Sequence, residues 1–344
     1  MSQKIIYIRS ETIKNEYRTP LNPQHINILI NNGFIVYIQS SLYRIYKDKE
    51  YIENGGIITS DEWYSQKYKN ALIIGIKELS NLDKLDNHTH IYFSHTFKNQ
   101  INSEYILIKF IKSNSKLYDF EYILDDNNKR IIAFGLYSGL VGGILGLKQY
   151  YNKINNYEPI SNLIPWFSYE DIINSVKSIA VNIQFIKIAI VGGYGRCGNG
   201  VKIILETLNI NYVIIDKIFD TNKLIDFDII FNCILLDETY NKIWFDENSK
   251  FEKNLVIVDI SCDYSRLNNP IKLYNKATSW EKPIYKYNEF VDIIGIDNLP
   301  SLLPKESSDF FSNKLLNLLL DYNSDKNNYW KNSLSIYYEK ALQI

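Results

Sequence analysis

The run Ile188-Ala189-Ile190-Val191-Gly192-Gly193-Tyr194-Gly195-Arg196-Cys197-Gly198 constrains the fold more than any other stretch of the chain. Apolar β-formers run into a G-x-G-x-x-G spacing at Gly193, Gly195 and Gly198, and an apolar helical pattern from Val201 to Leu208 follows. That order specifies strand, tight turn and helix within a βαβ unit. The first glycine permits the turn and the second lets an anion approach the backbone. The third lets helix and strand pack closely, so the helix N-terminus presents its N–H groups to the anion. Asp216 closes the next strand at about the 20-residue interval where an acid meets ribose hydroxyls. An acid there repels a 2′-phosphate, so the pattern predicts NAD rather than NADP.

At 344 residues and 40.4 kDa the chain has room for two domains. Short apolar runs at 5–8 and 34–38 flank a helical stretch over 23–31, and strands at 71–76 and 91–94 end in Lys77-Glu78 and His95. Runs at 117–124 and 129–134, joined by Asp125-Asp126-Asn127-Asn128, predict a hairpin. The glycine-studded segment 136–151 predicts a closely packed helix leaving the first domain near 134, with 152–162 as linker and a helix over 169–181. Strands follow at 186–191, 212–215, 228–234, 255–260 and 291–296. A helix over 310–320, after Pro304, returns to the first domain. The expected fold is α/β, two Rossmann-like doubly wound parallel-sheet domains flanking a central cleft. Residues 1–134 with about 300–344 form the substrate and catalytic domain, and 135–299 the dinucleotide-binding domain.

A net charge of −1 without runs of one sign argues against nucleic acid or anionic membrane as partner. No apolar stretch approaches the roughly 20 residues that span a bilayer, and the N-terminus goes straight into a strand, so a cytoplasmic protein is expected. Cys197, Cys233 and Cys262 lack metal-ligand spacing, and an odd count argues for reduced thiols. Only six of the 38 basic residues are arginines, at 9, 18, 44, 130, 196 and 266. In a chain so rich in lysine, arginine marks places that need a flat bidentate cation.

Lys77 and His95 each follow an apolar strand, and ligands of parallel α/β sheets sit outside the carboxyl ends of strands. A desolvated lysine is a base for amine protons and histidine moves protons near neutrality, a pair suited to amine oxidation. Glu78 and Glu121 are candidates to tune them. Arg9 and Arg18 lie in a Pro-bounded loop, 9–23, fitted to hold a carboxylate.

These residues fall within motifs that resemble a known family. They are R-x-E-T-x-K-x-E-x-R-x-P-L-x-P at 9–23, Ile74-Gly75-Ile76-Lys77-Glu78, Phe93-Ser94-His95-Thr96-Phe97-Lys98-Asn99-Gln100 and Ala133-Phe134-Gly135. Further along come Gly195-Arg196-Cys197-Gly198-Asn199-Gly200, Asp259-Ile260-Ser261-Cys262-Asp263 and the segment 296–306. Over nearly its whole length the chain resembles the NAD-dependent, lysine-forming saccharopine dehydrogenases of the alanine dehydrogenase and transhydrogenase superfamily.

The resemblance implies oxidation of saccharopine by NAD and water to lysine, 2-oxoglutarate and NADH, as a step of lysine biosynthesis. It implies Lys77 as the base at the secondary amine and His95 as the acid–base group for water addition and collapse of the carbinolamine. Substrate would be held by Arg18, Lys77, Gln100, Arg130, Phe134, Ser261, Cys262 and Asp263. Cofactor would be held by Lys129, Gly195, Arg196, Asp216, Thr221, Leu235, Ile260, Ile296, Asp297, Asn298 and Leu299, with Asp220 as an alternative to Thr221. Leu235 stands where the family often has an aromatic, and 268–290 is shorter than usual. No metal is implied, and the working expectation for assembly is a monomer. Oxidation could join Cys197 to Cys233. The alternatives are an alanine-dehydrogenase-type enzyme with a smaller substrate, disfavoured by Arg130 and Gln100, and a silent NAD-binding protein, disfavoured by Lys77 and His95.

Overall fold

The structure, a computed structural model, describes residues 4–97, 102–216, 220–237, 239–322, 324 and 326–344. Gln100 lies outside the described residues. The chain divides into two compact units, Met1–Ala133 with Pro304–Ile344, and Phe134–Leu303.

The first unit opens with β1 (Lys4–Ile8), α1 (Pro23–Asn31), β2 (Phe34–Gln39), α2 (Asp48–Glu53) and β3 (Ile57–Thr59). It continues through β4 (Leu72–Ile74), β5 (Thr89–Tyr92), α3 (Ser103–Lys112) and β6 (Lys116–Asp119). The strands form a parallel sheet in the order β3-β2-β1-β4-β5-β6. Its winding reverses between β1 and β4, the place where doubly wound sheets open a crevice beyond their carboxyl ends. Tyr7, Ile8, Ile73 and Ile74 are fully buried, as expected for central strands covered on both faces. α1 starts where the sequence places it: the Asn22 side chain accepts the His25 N–H at 2.9 Å, and Pro23 supplies a preset φ.

Of the hairpin expected over 117–134 only the tip forms, with the Ile131 N–H on the Ile123 carbonyl and the Asp125 N–H on the Lys129 carbonyl, each at 2.9 Å. β6 stops at Asp119, whose carboxylate accepts the Glu121 N–H at 2.8 Å and turns the chain into a 3-10 helix over Phe120–Tyr122. Side chain outcompetes ladder here, leaving one antiparallel bridge, Leu124 to Arg130. The strand expected at 91–94 likewise ends at Tyr92, because Ser94 and His95 bond to Asp119 instead.

The second unit comprises α4 (Gly135–Ile154), α5 (Tyr169–Ala180), β7 (Ile188–Val191), α6 (Arg196–Thr207), β8 (Val213–Ile215) and β9 (Ile229–Asn232). It ends with β10 (Leu255–Asp259), β11 (Tyr285–Lys286) and β12 (Val291–Ile294). The sheet order is β11-β12-β10-β9-β7-β8, parallel except for the edge strand β11. α4 packs backbone to backbone on α6: a Cβ on Gly200 would stand 2.7 Å from the Leu140 nitrogen. This close approach is why a twenty-residue helix tolerates so many glycines.

The chain then returns to the first unit as α7 (Pro304–Asp321) and α8 (Tyr329–Ala341). Ser308 and Ser312 of α7 accept the N–H groups of Thr19 and Asn22 at 3.0 and 2.9 Å, so α7 holds the loop after β1 in place. Among the described residues no helix is long and apolar enough to cross a membrane.

Candidate active site

In the first unit the reversal between β1 and β4 gathers charged side chains from the loop after β1. The Arg9 N–H bonds the Ile74 carbonyl at 3.0 Å, and its guanidinium crosses the face of Gly75 to reach the Lys77 carbonyl. A side chain at 75 would collide with that guanidinium, which explains the glycine. Glu11 pairs with Arg9 at 3.4 Å while its two oxygens accept the N–H groups of Ile76 at 2.7 Å and Lys77 at 3.0 Å. Burial raises the Glu11 carboxyl despite the neighbouring arginine. The main chain of half-buried Lys77 is therefore clamped from both sides.

Further along the loop, Glu16 and Arg18 are both buried and joined as a fork, Nε to Oε1 at 2.7 Å and Nη2 to Oε2 at 2.5 Å. Burial alone would raise the Glu16 carboxyl, but the charge and hydrogen bonds of Arg18, with the charge of Lys77, bring it below its ordinary value. Glu16 is thus a fixed negative charge common to Arg18 and Lys77. Arg18 directs two donors at Glu16 instead of presenting its whole fork outward.

The ends of β5 and β6 build a second acid–base group. His95 adopts a left-handed backbone, φ 56°, held by its N–H on Asp119 Oδ2 at 3.1 Å, while the Ser94 hydroxyl donates to the same oxygen at 2.7 Å. Burial raises the Asp119 carboxyl. Glu121 stands 3.6 Å from His95 Nδ1 and 2.7 Å from Arg130 Nη2, linking the two. Burial would lower the His95 imidazole; Glu121 first, then Asp119 and Glu78, outweigh it and raise it above its ordinary value. Lys129 is exposed in the adjoining turn, its N–H on Asp125 at 2.9 Å.

In the second unit the winding reverses between β7 and β9, and the glycine turn lies there. A Cβ on Gly198 would stand 2.5 Å from the Gly193 Cα, so helix and turn touch. At Gly195 a Cβ would meet nothing closer than the Gly192 oxygen at 3.5 Å. The backbone at Gly195 is thus open on the side where α6 presents its first N–H groups, a cradle that fits a diphosphate. Arg196 and Asp216 are exposed around it. Gly192, φ 83°, passes so close to Cys233 that a Cβ would lie 2.9 Å from the Cys233 carbonyl carbon. No disulfide joins Cys197 to Cys233. Burial, then neighbouring Cys197, pushes the Cys233 thiol well up, away from the reactive thiolate.

β10 ends in Asp259, which is fully buried. Its Oδ1 accepts from Asn232 Nδ2 at 2.8 Å and from the Cys262 N–H at 3.0 Å, and its Oδ2 from the Tyr274 hydroxyl at 2.6 Å. Burial pushes its carboxyl up to about 6. The Asp259 bond holds Cys262 at φ 53°, which turns Ser261, Cys262 and Asp263 out from buried Ile260. The Ser261 hydroxyl donates to the Ile234 carbonyl at 2.5 Å, and Arg266 joins Asp263 at 3.2 Å to the Leu236 carbonyl at 3.0 Å. Leu235 is 79% exposed. Asp220 spends its carboxylate on the Asn222 N–H at 3.1 Å, capping the short helix that Thr221 opens. Ile296 is buried and Asp297 exposed, Asn298 accepts from the Trp280 indole at 3.0 Å, and Leu299 opens a 3-10 helix. Phe134 is buried at the start of α4.

Within the first unit the structure thus brings Lys77 to Arg18 through Glu16, and His95 to Arg130 through Glu121. Glu11, Asp119, Asp259 and Tyr274 carry no site assignment from the sequence. Glu11 lay inside the 9–23 motif, and the two aspartates each end an apolar strand, a weak signal that was present.

Comparison with known proteins agrees with this organisation. Residues 7–141 match the alanine dehydrogenase/PNT N-terminal domain and 246–337 the alanine dehydrogenase/PNT C-terminal domain. Among solved structures an L-alanine dehydrogenase aligns with TM-score 0.70 and 14% identity over 96% of this chain and 94% of that one. A transhydrogenase from Sinorhizobium meliloti aligns with TM-score 0.64 and 14% identity over 93% and 94%. These likenesses bear out the fold of two Rossmann-like domains. Among curated proteins, the saccharopine dehydrogenase [NAD(+), L-lysine-forming] of Candida glabrata is 34% identical over 90% of each chain. That of Schizosaccharomyces pombe is 32% identical over 92% of each. The chain belongs to the family of NAD-dependent, lysine-forming saccharopine dehydrogenases.

Proposed function

We propose that the chain oxidises saccharopine with NAD and water, giving lysine, 2-oxoglutarate, NADH and a proton. The observation that carries this is the pair of acid–base groups in the first unit, each set beside its own carboxylate and each carboxylate backed by an arginine: Lys77 with Glu16 and Arg18, His95 with Glu121 and Arg130. An amine oxidation followed by hydrolysis needs two such groups in succession.

NAD, when bound, supplies the hydride acceptor. The open backbone at Gly195, the α6 N-terminus and Arg196 would hold its diphosphate, and Asp216 its ribose hydroxyls. Lys129, Thr221, Leu235, Ile260 and the 296–299 segment are proposed around the remainder. Lys77 takes the proton of the secondary amine as hydride leaves the glutamyl α-carbon, and Glu16 gives the resulting ammonium an ionic partner. The product is an imine. His95, its charge supported by Glu121, removes a proton from the water that adds to the imine carbon and returns one to the nitrogen as the carbinolamine collapses. Lysine and 2-oxoglutarate leave. Arg18, Gln100 and Arg130 are proposed to orient the three carboxylates, with Phe134 and the Ser261-Cys262-Asp263 turn bounding the substrate. A monomer working in the cytoplasm, in lysine biosynthesis, completes the reading.

Following NADH absorbance after mixing protein, NAD and saccharopine tests it. Turnover with alanine and none with saccharopine would overturn the assignment. Lys77→Met should keep NAD binding and cut turnover by on the order of 10²-fold.

A further inference from the structure

The second unit also holds an open cavity of about 330 Å³ that none of the residues above line. One wall is α4, with Leu145 and Lys148; the other is the stretch 160–166, with Ser161, Asn162, Leu163 and Trp166. That stretch is anchored at three points. The Ile160 N–H donates to Gln149 Oε1 at 3.1 Å, the Leu163 N–H to the Trp280 carbonyl at 2.8 Å, and the Trp166 N–H to the Leu302 carbonyl at 2.8 Å. The cavity is therefore built into the fold. α4 begins at Gly135, beside Cys197 of the glycine turn. At 1.5 Å per residue Lys148 lies about 20 Å further along the helix, so the cavity is separate from the dinucleotide cradle.

Lys148 gives the cavity its chemistry. It is half-buried, its ammonium stands 5.7 Å from the centroid of the Trp166 ring, and among the described residues no carboxylate pairs with it. Burial lowers its pKa with no negative group opposing the shift. The Ser161 hydroxyl and Asn162 amide make no side-chain hydrogen bond among the described residues. A partly dehydrated cation without counter-charge is costly to keep, and the loss is recovered when an anion joins it. With one cation and walls of leucine and indole, the complementary anion carries a single charge on a compact apolar body. The volume is at the lower end of small-molecule sites.

We infer that this cavity binds a small carboxylic acid with an aromatic or branched apolar body, its carboxylate on Lys148 and its body against Trp166. Phenylacetate and the uncharged phenylacetamide are the probes, titrated calorimetrically into the full chain with NADH and 2-oxoglutarate at saturation. Phenylacetate should bind under those conditions at least tenfold more tightly than phenylacetamide. Lys148→Met and Trp166→Ala should each weaken phenylacetate at least tenfold, and Lys148→Arg should restore most of it. Saccharopine turnover by Lys148→Met should match the parent, which shows the variant folded. Equal binding of acid and amide, unchanged binding by Lys148→Met, or absence of binding while NADH and 2-oxoglutarate saturate the chain would each overturn the inference. So would a hydrophobic peptide with a free C-terminus binding tenfold more tightly than phenylacetate, since the occupant would then be a protein tail.

Discussion

The Glu11 carboxylate accepts the backbone N–H of Lys77 at 3.0 Å while facing Arg9 at 3.4 Å, with both side chains of the pair buried. The catalytic role proposed for Lys77 thus depends on a carboxylate that bonds its main chain. Glu11→Gln removes the charge facing a buried guanidinium and turns an amide N–H toward one of the two backbone donors. Breaking one half of a buried pair costs about 3 kcal/mol, so the urea midpoint should fall. Turnover should drop on the order of tenfold with NAD affinity unchanged, because misplacement acts on the reacting group and not on the cofactor. Unaltered turnover would mean the Ile76-Lys77 backbone is held well enough without Glu11.

His95 should titrate above the ordinary histidine value of about 6.5. A raised folded-state value means that protonation favours the fold. This contribution is complete below about 6.5 and disappears as pH rises through the folded value. Glu121→Gln leaves burial as the main influence, so the His95 value should fall below that of the parent, and the stability gap between the two proteins should narrow with rising pH. NMR titration of the His95 ring, assigned with His95→Asn, reads the shift directly. An unmoved titration in Glu121→Gln would remove Glu121 from its part in tuning this imidazole.

Local rules made much of this legible. The apolar pattern over 23–31 marked a helix, and the glycines of 136–151 marked a closely packed one. The glycine turn marked the switch point of the second sheet. What stayed hidden depends on contacts between distant parts of the chain. The hairpin at 117–134 had the right composition, but one buried carboxylate, Asp119, redirected the chain toward His95. β3 is only three residues, too short for any period to show. Scarce arginine marked six positions, and Arg44, which lies outside any motif, braces a loop, bonding the carbonyls of Gln39 and Tyr46 and lying 4.6 Å from the Tyr51 ring. Arg9 holds backbone, and Arg18 first answers Glu16. Their separate duties follow from which carboxylate the fold brings to each, information that spacing does not carry.

Asp259 gives a pH dependence of its own. Its carboxyl, about 6 in the folded chain, sits near 3.9 when unfolded. The stability that protonation lends is therefore present below about pH 4 and lost as pH rises through about 6, a change of roughly 3 kcal/mol. Asn in its place keeps an acceptor for Asn232 and Cys262 and offers its amide to the Tyr274 hydroxyl. Asp259→Asn should lack this slope, gaining on the parent by about that amount between pH 4 and pH 7 in urea titrations. Parallel pH profiles would show that the Asp259 carboxyl stays ionised throughout.

Gly195 and Gly198 separate cofactor binding from folding. A methyl at Gly198 would press on the Gly193 Cα at 2.5 Å and the Gly192 carbonyl oxygen at 2.7 Å, both backbone, so Gly198→Ala must open the turn and lower stability by about 1 to 3 kcal/mol. A methyl at Gly195 would touch protein only at ordinary van der Waals distance, so Gly195→Ala should melt within a few degrees of the parent. That methyl stands instead where the diphosphate is proposed to approach α6, and the Kd for NAD should rise at least tenfold. Calorimetric melting with NAD titration on the same samples distinguishes the two effects. If Gly195→Ala bound NAD as the parent does, the diphosphate would have to lie away from Gly195, and Arg196 and Asp216 would lose their proposed places beside it.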